Sequence, residues 1–253
     1  VYTPMHGVGD KLARMAFDQA GFTDVVSVPE QQRPDGAFPT VEFPNPEEKG
    51  AMDLAFALAR ARSADLVVAN DPDADRLAIA LPSAGSKSGY VQLTGNQVGV
   101  LLGHYLLTGG LRALDRAVAE GGKPLVIASI VSSPMLGLIA RALGASYEEC
   151  LTGFKWIANR AMERKAKQGE LFVFGFEEAL GYTVGELVRD KDGISAAVVF
   201  AELTAVLRAK GSTVLAHLEQ LYRRYGLFTS SQVNLTRKGA EGMAELRGIM
   251  KRL

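Results

Sequence analysis

Asn70-Asp71-Pro72-Asp73-Ala74-Asp75-Arg76 places three carboxylates at alternate positions, with a guanidinium directly after them. Anions this close repel one another unless a cation collects them. Asp oxygens are hard donors that suit Mg²⁺, Ca²⁺ or Mn²⁺ rather than a thiol-seeking metal. In a gently curved loop, residues i, i+2 and i+4 point to one side. Asp71, Asp73 and Asp75 can then each offer one oxygen to a hydrated cation and leave positions open for a phosphate. Arg76 adds a fork shaped for phosphate oxygens. A solvated acidic turn is the plain alternative. An EF-hand loop starting at Asp71 needs Gly at its sixth position and Glu at its twelfth; those positions hold Arg76 and Pro82. A metal-dependent phosphohydrolase with an Asp nucleophile after a buried strand also shows Asp-x-Asp, so Asp71 as nucleophile stays open.

A second cluster lies further on. Phe172-Val173-Phe174-Gly175 is a buried-strand pattern, and Glu177 and Glu178 follow at its carboxyl end, where open parallel sheets hold their ligands. Adjacent Glu side chains in an extended segment face opposite sides. One can accept two hydroxyl hydrogen bonds from a ligand while the other meets solvent or a partner cation. Lys155 and Lys191 are loop cations, and Thr152 is a hydroxyl donor close by.

The elements that position these groups follow from periodicity. Apolar runs at 66–69 and 77–81 read as short buried strands flanking the acidic loop, which puts that loop at the end of a sheet. Before it come a helix over 11–19, a strand over 25–28 and a Pro-rich irregular loop over 29–46. Asn45, Pro46 and Glu48 have the order of an N-cap, a first helical position and a box-like partner, so a helix is expected from there to about 63. A hairpin-like turn over 83–89, a strand over 90–93 and a helix over 97–107 capped by Asn96 follow. Beyond Gly109-Gly110 and Gly121-Gly122 the pattern repeats in kind. Strands are expected over 125–130, 145–149 and 171–174, and helices over 134–143, 154–167, 195–210 and 213–225. Ser132-Ser133 reads as a helix cap. The fold class expected is α/β, as two consecutive three-layer α/β/α units with mostly parallel, mixed sheets. The units are residues 1–113, with the acidic loop, and 114–228, with the Glu pair. Residues 229–253 form a C-terminal segment with a β-like piece at 232–235 and a solvated basic helix.

Composition removes several classes of partner. Twenty-eight basic residues balance 28 acidic ones, for a formal net charge of zero. That argues against a nucleic-acid groove or an anionic membrane surface. The most apolar helix is interrupted by Gly99, Gly103 and His104, so no span fits a bilayer. The single cysteine, Cys150, cannot form an internal disulfide and sits beside Glu148-Glu149, which raises a thiol pKa. A cytoplasmic protein is expected. The first residue is Val, and the chain reads as cut from something longer, or processed.

Taken in order, five segments resemble the α-D-phosphohexomutases, the phosphoglucomutase and phosphomannomutase group. Asp71-Pro72-Asp73-Ala74-Asp75-Arg76 is similar to the family's metal loop, and Tyr2-Thr3-Pro4-Met5-His6-Gly7-Val8-Gly9 to the opening of its second domain. Thr152-Gly153-Phe154-Lys155-Trp156-Ile157 resembles a third-domain loop. Gly175-Phe176-Glu177-Glu178-Ala179-Leu180-Gly181-Tyr182 resembles the sugar-recognition loop, and Lys191-Asp192-Gly193-Ile194 the segment after it. The resemblance implies the family's second and third domains. It implies Mg²⁺ on Asp71, Asp73 and Asp75, Arg76 and Lys155 as catalytic groups, and Thr152, Glu177, Glu178 and Lys191 as contacts to a hexose phosphate. It further implies phosphoryl transfer between C1 and C6 of the sugar, with a phosphoserine on a first domain and a distal phosphate loop on a fourth, both missing here. A Ser two residues after the sugar-binding Glu is common in the family; this chain has Ala179 there, which loosens the expectation about sugar identity. Alone, the chain is expected to bind metal and sugar phosphate weakly and not to turn over. A non-catalytic sugar-phosphate binding module is the remaining alternative.

Overall fold

Two four-stranded sheets succeed one another along the chain. The structure, a computed structural model, describes residues 1–110, 119, 121–231, 237 and 239–252. The first sheet has the order β1 (Tyr2–Thr3), β2 (Val67–Ala69), β3 (Ala78–Pro82), β4 (Tyr90–Gln92). β1 and β2 are parallel, with Tyr2 opposite Val68, and the next two pairs are antiparallel. β2 is buried throughout and β3 is buried up to Pro82, as uninterrupted apolar runs require. The second sheet contains β5 (Pro124–Ser129), β6 (Ser146–Cys150), β7 (Leu171–Glu177) and β8 (Gly181–Val184), ordered β6-β5-β7-β8. β5 pairs in parallel with β6 and β7, and β8 returns antiparallel to β7. Both sheets are therefore mixed.

The helices are α1 (Asp10–Gln19), α2 (Asp53–Arg62), α3 (Gly95–Leu107), α4 (Met135–Ala142), α5 (Phe154–Gln168), α6 (Gly193–Ala209), α7 (Val214–Tyr225) and α8 (Gly239–Met250). On one face of the second sheet, α5 closes a small core of Leu125, Ile127, Phe154, Ile157 and Phe172. On the other face, α3 packs on β7, α4 on β6 and α6 on β8. Residues of that layer share one continuous core with the first sheet, in which α6 also meets α1. Burial of this shared apolar surface, worth about 25 cal/mol per Å², joins the two units.

Several local expectations are corrected. The helix expected from Pro46 begins at Asp53. Asn45 closes a turn instead: its side chain accepts from the Glu47 N–H at 3.0 Å and its carbonyl from the Glu48 N–H at 3.0 Å. An Asn that caps helices also closes such turns, and Gln92 holds the turn by donating to the Pro46 carbonyl. α3 is capped by Thr94, in a reciprocal box with Gln97. Asn96 is used elsewhere, accepting from the Ser133 N–H and donating to Ser230 Oγ. Segment 25–28 contributes a single parallel bridge, Ser27 to Tyr2. β8 was not foreseen. The β-like piece at 232–235 and the division at 113 lie outside the described residues.

His104 on α3 and His217 on α7 meet with ring centroids 5.1 Å apart. Burial, then the neighbouring His217 and Arg224, pushes His104 down to about 4 from its ordinary 6.5. A ring held neutral in the fold but protonated at 6.5 when unfolded contributes stability above pH 6.5 that is lost as pH falls toward 4. The loss is expected to be on the order of 2–3 kcal/mol. Thermal melts across this range should show the slope in the wild type and a flatter profile in His104→Phe. Equal slopes would show that this ring does not titrate with unfolding.

Candidate functional site

The acidic loop is closed at its base by a buried amide. Tyr2 donates its hydroxyl to Asn70 Oδ1 at 2.9 Å, and Asn70 Nδ2 donates to the Arg76 carbonyl at 2.5 Å. Within the loop, the Ala74 N–H donates to the Asp71 carbonyl and the Arg76 N–H to Asp71 Oδ1 at 3.0 Å. Ala74 takes a left-handed φ of 59°. The loop is therefore a tight turn rather than a gentle curve. The Val8 N–H, from the segment before α1, buttresses it by donating to the Pro72 carbonyl.

One carboxylate oxygen from each of Asp71, Asp73 and Asp75 lies within 4.8 Å of the others. Asp71 and Asp75 are half-buried and Asp73 is exposed. Burial pushes the Asp71 carboxyl up to about 6; the Arg76 N–H opposes that rise and the charges on Asp75 and Asp73 add to it. Crowded hard anions whose charges oppose one another are what a divalent cation would relieve. The donor set thus fits a hard ion.

The second unit docks onto this loop. Arg76 forms an isolated antiparallel bridge with Gly181, its Nη1 donates to the Ala179 carbonyl at 3.1 Å, and the Leu77 N–H donates to the Leu180 carbonyl at 3.0 Å. Leu180 carries a positive φ of 62°. Arg76 Nε also lies 3.7 Å from Asp71 and 3.9 Å from Asp75. Lys191 Nζ makes an ion pair with Asp75 Oδ2. Asp192 caps α6, accepting from the Ile194 and Ser195 N–H groups.

Glu177 and Glu178 do face opposite ways. Glu177 is buried at the end of β7 and accepts from the Gly153 N–H. Burial raises its pKa, and that N–H opposes the rise. Gly153 has φ 120°, a backbone region that favours glycine, so the Thr152–Lys155 segment is tied to Glu177 through a turn that needs this residue. Thr152 and Lys155 are themselves exposed, and Lys155 Nζ lies 5.5 Å from the Trp156 ring centroid. Glu178 is anchored on the other side: its Oε2 accepts from the Ser129 and Ser132 hydroxyls, each at 3.2 Å. Ser132, expected as a helix cap, thus serves the Glu loop; Ser133 Oγ accepts from the Met135 N–H at 3.3 Å. The structure brings Asp71, Asp73, Asp75, Arg76 and Lys191 together against the 177–181 loop.

Three residues near this site escaped the sequence reading. Ser129 is one, and Ser132 in its observed role is another. The third is Glu47, whose pKa is raised by burial while Arg76 and Glu178 act on it through space. A lone Glu in a Pro-rich loop carries no local signal of such a position. The raised thiol pKa expected for Cys150 agrees with what is seen, and His6 has an ordinary hydrogen-bond partner. His6 is buried against Thr40 at 2.7 Å, and burial followed by Glu177 and Glu148 pushes the Cys150 thiol up to about 11. Among the described residues no helix is long and apolar enough to cross a membrane.

Comparison with known proteins identifies the two units. Residues 1–85 match the family model for phosphoglucomutase/phosphomannomutase α/β/α domain II, and residues 94–225 match that for domain III. A Haemophilus influenzae protein named "Probable phosphomannomutase" is 43% identical over 236 residues, covering 93% of this chain and 44% of the relative. The phosphopentomutase of Homo sapiens is 43% identical over 228 residues, covering 89% of this chain and 36% of its own. A solved phosphoglucomutase/phosphomannomutase family protein from Burkholderia thailandensis has the same fold, with a TM-score of 0.64 at 18% identity over 87% of this chain and 42% of its own. The chain spans about two fifths of the length of the curated relatives it matches. Both family models, the order of the motifs and the two mixed sheets agree: the chain belongs to the phosphoglucomutase/phosphomannomutase family, of which it carries α/β/α domains II and III.

Proposed function

We propose that this chain is the middle of a phosphosugar mutase, an isomerase that moves a phosphoryl group between C1 and the terminal hydroxyl of a sugar. One observation carries the reading: Arg76 ties the three-aspartate loop to the 177–181 loop through its bridge to Gly181 and its bond to the Ala179 carbonyl. Groups suited to a phosphate and groups suited to sugar hydroxyls thereby lie on adjoining loops.

Asp71, Asp73 and Asp75 would hold Mg²⁺, which when bound neutralises charge on the phosphoryl group in transit. Arg76 orients phosphate oxygens while its backbone keeps the two loops in register. Glu177 accepts sugar hydroxyl hydrogen bonds, and Glu178, held by its two serines, fixes the loop behind it. Lys191 and Lys155 supply cationic contacts to phosphate, and Thr152 a hydroxyl. The phosphoserine donor and the distal phosphate loop belong to domains outside this chain. Because α3 packs on β7, we place the boundary between the units ahead of α3, between residues 85 and 94, rather than at 113. Hexose 1-phosphates and 6-phosphates are the substrates first expected. Similarity to a protein named for pentose, together with Ala179, adds pentose phosphates.

The test is titration of mannose 1-phosphate, glucose 1-phosphate and ribose 1-phosphate into the chain, with Mg²⁺ and with chelator. Saturable binding that chelator weakens, with no conversion of the sugar phosphate, is expected. Release of inorganic phosphate, or a beryllium fluoride adduct on Asp71, would overturn the mutase reading in favour of a phosphohydrolase. Absence of binding to all three sugars would overturn it as well.

A further inference from the structure

We infer that Lys191 couples the two ligands of the site, so that a divalent cation on the aspartates and a phosphate on Lys191 strengthen each other's binding. The inference rests on the metal reading above and goes beyond it.

Lys191 is far from the aspartate loop in sequence but fixed against it in space. Its neighbour Asp192 donates its N–H to the Tyr182 carbonyl at 2.7 Å and caps α6. The aliphatic stem of Lys191 lies over Gly181; a Cβ there would stand 3.0 Å from Lys191 Cδ. The stem thus carries the ammonium to Asp75, and the paired side chains are only 21% and 25% exposed. The same ammonium acts on Glu177 through space. It therefore lies between the aspartate loop and the sugar loop, within reach of both.

Arg76 cannot change partners in this way. Its Nη1 is held by the Ala179 carbonyl and its N–H by Asp71. Lys191 has three donors on a flexible stem and no backbone partner for its Nζ among the described residues. A cation drawing on Asp75 shares that carboxylate with the ammonium and repels it. A phosphate that draws Lys191 away removes a competing positive charge from Asp75. Each event favours the other, and linkage makes the effect reciprocal.

Mn²⁺ binding, followed by electron paramagnetic resonance at constant ionic strength, tests this in the 253-residue chain. Lys191→Met is expected to bind Mn²⁺ about fivefold more tightly than wild type, the upper worth of a partly exposed ion pair. Mannose 1-phosphate should raise Mn²⁺ affinity in both proteins through direct contact with the cation, and about fivefold more in the wild type than in Lys191→Met. Lys191→Arg should keep part of that difference. Equal or weaker Mn²⁺ binding by Lys191→Met, with a circular dichroism melt like the wild type, would overturn the coupling. So would a phosphate response of equal size in the two proteins. If neither wild type nor Lys191→Met takes up Mn²⁺, the metal reading itself fails and the coupling with it.

Discussion

Asp71→Asn is expected to melt above the wild type at pH 8 in chelator, yet to bind divalent cations at least about 100-fold more weakly. Removing outer-shell partners of metal ligands alone costs 10- to 100-fold, so loss of a ligand sets that lower bound. The stability gain follows from the raised carboxyl of Asp71, held near 6 against an ordinary 3.8 mainly by burial and then by Asp75 and Asp73. A carboxyl whose pKa is raised by folding is best accommodated when protonated. Its destabilising effect is absent below 3.8, grows as pH rises through about 6, and is complete above that. An amide carries no charge to bury, and its oxygen still accepts from the Arg76 N–H that lies 3.0 Å from Asp71 Oδ1. The gain is on the order of 2 kcal/mol, or about 4–8 °C for a chain of this size. It should vanish near pH 4. Calorimetry against pH, with Mn²⁺ titration alongside, reads both effects. A lower melting temperature at pH 8 would mean that the carboxylate stabilises the loop, and retained cation affinity would remove Asp71 from the ligand set.

Gly193→Ala is expected to cost about 3 kcal/mol and to abolish measurable cation binding in the fraction that remains folded. Gly193 opens α6 where that helix meets the aspartate loop. A Cβ there would lie 2.3 Å from the Arg76 carbonyl oxygen, 2.5 Å from Asn70 Nδ2 and 2.8 Å from the Ala74 carbonyl oxygen. Two of these atoms are backbone, and the third is the amide that closes the loop's base. No flexible side chain is available to yield, so either α6 or the loop must move. The damage should therefore reach the aspartates as well as the global stability. Gly36→Ala is the control, since a Cβ at Gly36 meets nothing within 4 Å, and is expected to stay within about 0.5 kcal/mol. Urea denaturation of both variants gives the comparison. A Gly193→Ala chain as stable as Gly36→Ala would mean that the two units are not packed this closely.

These two sites show where local pattern ends and tertiary structure begins. The runs before and after Asp71 were readable as strands because burial on both faces demands continuous apolar residues, and β2 and β3 stand there. The aspartate spacing and the Glu177–Gly181 segment were readable because their chemistry lies within a few residues of chain. Helix ends were less legible. Asn45 and Asn96 both have cap-forming side chains, but an Asn side chain also satisfies turns and distant amides, and neighbouring residues decide which. Asn45 closed a turn, and Thr94 with Gln97 took the cap expected of Asn96.

Nothing near Glu178 in sequence announces Ser129 or Ser132, and nothing near Glu47 announces Arg76. Those proximities depend on how the strand ends and the long loop are brought together. The chain's sequence determined which residues could bind a cation, a phosphate and a sugar, since donor type and spacing are local properties. Only the tertiary structure decided that Arg76 would bridge to Gly181 and that Lys191 would reach Asp75. Contacts across more than a hundred residues are set by the shared burial of α3, α6 and both sheets, which no local stretch of sequence encodes.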